Sequence, residues 1–146
     1  MIILYQEALK IKDELIKFYR KKKTKIQPVG ALIRKEHRIE YLEFITSKNI
    51  GQLCYQSSIL SNNVEIKYYI WYVPKRFLEL TFLIKSYPDK YMEEIRKKLQ
   101  EKGYTLTEKE VINNSTLKSE KIKDFKEIVK LAGVQYYDLS HFYEIQ

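Results

Sequence analysis

From residue 64 to residue 73, Val64, Ile66, Tyr68, Ile70 and Tyr72 alternate with Glu65, Lys67, Tyr69, Trp71 and Val73. A two-residue period fits a β-strand that turns one face to a core. One strand cannot bury that face alone; it needs sheet neighbours and a covering layer. The flanking sequence offers both neighbours. Residues 51–59 read as a strand joined to this run through Ser61-Asn62-Asn63, whose residue types favour a turn. After Pro74-Lys75-Arg76, the alternation of Leu78, Leu80, Phe82 and Ile84 predicts another.

Helical spacing supplies the covering layer. Leu4, Ala8, Ile11, Leu15 and Phe18 recur along one face while Glu7, Lys10, Asp13, Glu14 and Lys17 occupy the other. This first helix is expected to stop before Pro28, because the residue preceding proline is biased away from helical angles. Tyr91, Ile95 and Leu99, with Met92 alongside, define a second helix that follows Tyr87-Pro88-Asp89 and ends at Gly103. A third is expected to open at Asn113-Asn114-Ser115-Thr116, to carry Ile122, Phe125, Ile128, Val129 and Ala132, and to close at Gly133. Residues 28–48 suit either a strand or a helix; the β-favouring Ile39, Tyr41, Phe44, Ile45 and Thr46 favour the strand. Tyr104 and Leu106 begin a short strand, and the apolar Val134, Tyr136, Tyr137, Leu139, Phe142, Tyr143 and Ile145 predict a docked strand or extended segment. The expectation is an α+β fold: a largely antiparallel sheet of about four to five strands covered by three helices, in a single compact domain over residues 1–146.

The charge is unevenly distributed. The chain carries +8 overall, yet residues 1–38 hold eleven basic and four acidic side chains. An acidic partner is therefore easier to approach than a basic one. Lys21, Lys22, Lys23 and Lys25, with Arg34 and Arg38 across the next turn, form a candidate surface for phosphates. They also lie where the first helix ends, where cations complement the helix dipole without any ligand. Tyr69 and Trp71 beside Lys67, with Lys75 and Arg76 beyond Pro74, offer rings for base stacking and cations for the backbone, although such residues also pack protein cores.

Catalytic signals are sparse. Glu65-Ile66-Lys67 resembles the acidic-lysine element of the restriction-endonuclease-like nuclease superfamily, over residues 40–67 and without the family's aspartate. That resemblance implies Mg²⁺ held by Glu65 and an upstream carboxylate, Glu40 or Glu43, with Lys67 assisting phosphodiester hydrolysis. Glu-X-Lys also arises on any solvated strand face. His37 and His141 are far apart in sequence, and Asp138 lies three residues before His141 without a nucleophile to complete a site. Cys54 is the only cysteine, which excludes an intrachain disulfide; its apolar neighbours predict a small buried thiol.

The start of the chain is apolar only to Tyr5, shorter than a secretory signal, and no run approaches membrane-spanning length. A cytoplasmic or other intracellular setting is expected. The first functional reading is a noncatalytic protein that binds DNA or RNA through its N-terminal Lys/Arg surface, with no cofactor. The alternatives are a protein-interaction module or homodimer, suggested by 13 Tyr and the aromatic C-terminus, and the Mg²⁺-dependent nuclease.

Overall fold

A computed structural model describes residues 2–143. It contains β1 (Ile3–Leu4), α1 (Tyr5–Lys21), β2 (Gln27–Val29), β3 (Arg38–Ile39), β4 (Tyr41–Thr46), β5 (Cys54–Ser61), β6 (Val64–Tyr72), α2 (Lys75–Ser86), α3 (Asp89–Glu101), β7 (Tyr104–Leu106), β8 (Val111–Asn113), β9 (Lys118–Ser119), α4 (Phe125–Ala132) and α5 (Leu139–Phe142). The expectation of one four- to five-stranded, largely antiparallel sheet under three helices is overturned. The strands form three separate sheets, ordered β1-β3, β2-β4-β6-β5 and β7-β8-β9, and the helices number five among the described residues. The chain divides into two compact units, residues 1–78 and 79–146, with α2 running through the division.

In the first unit, α1 buries Ala8, Ile11 and Leu15 against Leu42, Phe44, Ile66, Tyr68 and Ile70 of β4 and β6. Burial of each large aliphatic here contributes roughly 1.5–3 kcal/mol. Tyr19 completes the inward stripe, donating to or accepting from the Tyr68 hydroxyl at 2.8 Å, whereas Phe18 is left 47% exposed. The four-stranded sheet is mixed. Leaving β4, the chain passes to the far edge as β5 and turns back as β6, so that β6 lies parallel to β4 and antiparallel to β5. Asn62 and Asn63, with φ of 51° and 65°, form the two-residue connector; positive φ at both positions matches the twist of a tight hairpin.

In the second unit, α3 buries Tyr91, Met92, Ile95 and Leu99 in a core shared with Leu106, Val111, Phe125, Ile128 and Val129. The third expected helix begins at Phe125 rather than near Asn113. Asp124 accepts from the Glu127 amide while the Glu127 carboxylate accepts from the Lys123 amide, a reciprocal capping arrangement. The Asn113 side chain instead turns β8 toward β9, accepting from the Ser115 and Thr116 amides. Residues 134–138 dock because the Tyr87 and Tyr91 hydroxyls donate to the carbonyls of Tyr137 and Gln135 at 2.7 and 2.8 Å. The expected docked strand or extended segment is an irregular docked stretch over residues 134–138 followed by α5; Ile145 lies outside the described residues. No helix among those residues is long and apolar enough to cross a membrane.

Candidate functional site

Helix α1 ends in a geometry that gathers cations. Lys23 adopts φ 60°, the Thr24 amide donates to the Tyr19 carbonyl at 2.9 Å, and the Lys23 amide donates to that of Arg20 at 2.9 Å. This paired closure usually carries glycine at its left-handed residue; here a lysine occupies it. Past the turn, the buried Thr46 hydroxyl donates to the Lys25 carbonyl at 2.9 Å and accepts from the Lys48 amide at 3.2 Å. The Lys48 ammonium reaches the carbonyls of Lys22 and Lys23 at 3.4 and 3.3 Å, over the negative end of the helix.

Arg20, Lys23 and Lys25 thereby line one open groove of about 550 Å³, together with Ile16, Thr24, Ile26, Gln27 and Pro28. No acidic residue lines it. Among the described residues, no carboxylate forms an ion pair with Arg20, Lys21, Lys22, Lys23 or Lys25. The lysine run does not act as one block, however. The Lys22 ammonium lies over the Phe18 ring, 4.4 Å from its centroid, and neither Lys21 nor Lys22 lines the groove. Arg34 is paired with Glu36 at 2.7 Å, and Arg38 lies exposed on β3 opposite Leu4. Arg20 and Lys48 were missing from the sequence reading. Arg20 was detectable, since residues 16, 20 and 23 share a helical face.

The second candidate surface lies on the face of the four-stranded sheet turned away from α1, and part of that face is covered, since Val29 and Ile45 on it are fully buried. Lys67, Tyr69 and Trp71 alternate on β6, and Tyr41, Glu43 and Ile45 stand beside them on β4. Tyr69 meets Tyr41 edge-on with centroids 5.4 Å apart, and the Trp71 indole donates to the Glu43 carboxylate at 3.1 Å. Glu43 raises the Tyr41 pKa above its ordinary value by its negative charge, and partial burial adds to the effect. Glu43 also crowds Gly30, where an added Cβ would lie 3.1 Å from the carboxylate and φ is +73°. Tyr69 and Trp71 are half-buried and already engaged with neighbours, so they present edges rather than open stacking platforms. Lys75 and Arg76 open α2, with the Arg76 guanidinium 4.6 Å from the Phe77 ring centroid.

Of the nuclease residues, Glu40 immediately precedes Tyr41, which stands opposite Lys67, but Glu43 and Glu65 are set apart. Glu43 stands opposite Tyr69, four residues along β6 from Glu65, or about 13 Å at the rise of a strand. The Glu65 carboxylate accepts from Ser58 at 2.9 Å, and Glu40 lies exposed before β4. Among the described residues no three His, Cys, Asp or Glu side chains cluster as metal ligands. His37 is exposed, while His141 stacks on Tyr137 at 4.5 Å. Cys54, expected to be buried, is half-buried at the start of β5. No known family model matches the chain, and no curated protein is detectably similar to it.

Proposed function

We propose that this protein binds the phosphate backbone of DNA or RNA, without catalysis, in the groove at the C-terminal end of α1. The observation that carries the reading is the lining: Arg20, Lys23 and Lys25 around an apolar floor of Ile16, Ile26 and Pro28, with no carboxylate among them. Uncompensated cations on a shared surface reinforce one another's field, and phosphate binding there gains entropy by releasing counterions. Thr46 and Lys48 support it further by fixing the strand and loop that flank the groove. Such contacts position a backbone without reading bases, so weak sequence preference is expected.

Fluorescence anisotropy with labelled single-stranded RNA, single-stranded DNA and duplex DNA across a salt series tests this. Affinity should fall steeply as salt rises, with a log–log slope of about −0.9 per phosphate contacted on duplex DNA. Absence of binding to all three at low salt would overturn the proposal.

A further inference from the structure

The two edges of the four-stranded sheet are built differently. The β2 edge is three residues long and carries Pro28, which removes a backbone donor and discourages strand addition. The β5 edge runs for eight residues, Cys54–Ser61, with no proline and no charged side chain. No β5 residue is buried; Tyr55 is 37% and Leu60 73% exposed, and the adjoining Leu53 is 67% exposed. Edge strands of this length are normally protected by lysine, proline or a bulge. In a chain carrying +8, this neutral strand is also where a second copy can approach with little repulsion from its own side chains.

We infer that β5 is a self-association edge, pairing antiparallel with β5 of a second copy of this chain across a two-fold axis through Ser57. The hydrogen-bonding phase is set by the Tyr72 amide, which donates to the Leu53 carbonyl directly opposite at 2.9 Å. Odd-numbered residues of β5 therefore turn their peptide groups to β6, and Gln56, Ser58 and Leu60 turn theirs outward. Directly opposed residues must share a sheet face, which limits a two-fold axis to an actual residue position rather than the space between two. Axes through Ser57 and Ser58 overlap Cys54–Ser61 equally, and Leu53, already laddered to Tyr72, extends the paired stretch and favours Ser57. The Ser57 axis sets Gln56 against Ser58 of the second copy as a hydrogen-bonded pair, and Tyr55 against Ile59 of the second copy, twice, on the face that carries Ile66, Tyr68 and Ile70. The partly buried Ile59 already packs against that core, so pairing extends the apolar layer from one copy to the next. The outcome is one continuous sheet of two copies, β2-β4-β6-β5 followed by its symmetry mate. This inference uses the opposite edge of the sheet from β2 and does not rest on nucleic-acid binding.

Sedimentation equilibrium of the full chain, without nucleic acid, should give twice the 17.7 kDa chain mass. Gln56→Lys places like charges at the seam and should return the mass to that of one chain with an unchanged circular dichroism spectrum. Ser57→Cys in a Cys54→Ser background should oxidise to a covalent dimer, because opposed residues of a non-hydrogen-bonded pair approach to about 4.5 Å between Cα atoms. Leu117→Lys, at an 80% exposed turn, serves as the control and should leave the dimer intact. A chain that stays monomeric at high concentration overturns the inference. So does a dimer that survives Gln56→Lys, or one that cross-links through Gln56→Cys or Ser58→Cys but not through Ser57→Cys.

Discussion

The indole N–H of Trp71 donates to the Glu43 carboxylate at 3.1 Å across the parallel pair β4 and β6, two residues out of register with it. Trp71→Phe keeps a ring on the sheet face and removes the donor. A hydrogen bond to a charged group contributes roughly 1.5–3 kcal/mol, and this part-buried one belongs at the low end. Urea unfolding followed by circular dichroism should show a loss of about 1.5 kcal/mol. Oligonucleotide affinity should stay within about twofold, since Trp71 does not line the cationic groove. A large loss of affinity with the fold intact would move the interface to the sheet face.

Lys23→Gly separates charge from stability. The left-handed conformation at φ 60° costs a lysine about 1 kcal/mol that glycine does not incur. The variant should therefore melt higher while binding nucleic acid less tightly. A lower melting temperature would show that the lysine side chain, rather than its backbone geometry, holds the end of α1.

Charge reversal should discriminate within the basic run. Lys25→Glu and Arg20→Glu alter the groove and should each reduce the magnitude of the salt slope by about one or more. Lys22→Glu, on the Phe18 side of the helix, should have a smaller effect. Equal losses for all three would indicate a diffuse field rather than a seated backbone.

Stability should fall at alkaline pH. Burial is the largest influence raising the pKa of Tyr19, Tyr87 and Tyr91, and for Tyr19 the hydrogen bond with Tyr68 adds to it. The folded chain thus favours the protonated phenols, and unfolding promotes their ionisation. Their stabilisation is complete below the ordinary tyrosine value of 10 and is lost as pH rises from there through the raised values. Tyr19→Phe should flatten part of that decline, while costing about 1 kcal/mol at neutral pH through the lost Tyr68 partner. Thermal melts at pH 7 to 11 measure both effects.

Local patterns were legible where one period dominated. The alternation of Ile66, Tyr68 and Ile70 identified the inward face of β6, and Ala8, Ile11 and Leu15 identified that of α1. Residues 75–86 failed because two periods coexist there. Leu78, Leu80, Phe82 and Ile84 alternate, but Phe77, Leu80, Thr81 and Ile84 also follow helical spacing, and the chain is helical with Thr81 and Ile84 buried. The parallel pairing of β4 with β6 was hidden for a different reason. Short connections favour adjacent hairpins, whereas residues 47–53 carry β5 past that position to the edge. At the groove, sequence proximity misled. Lys21, Lys22 and Lys23 are consecutive, yet one helical turn sends Lys22 to Phe18 and leaves Lys23 with Arg20 and Lys25.

The division into two cores has a spectroscopic consequence. The chain's only tryptophan, Trp71, lies in the unit formed by residues 1–78, while the stacked Tyr87 and Phe125 rings lie in the other. Indole emission therefore follows melting of one core, and near-ultraviolet dichroism of the tyrosines is weighted toward both. If the emission and dichroism curves separate on heating, the chain melts in two steps, and a single unfolding free energy no longer describes it.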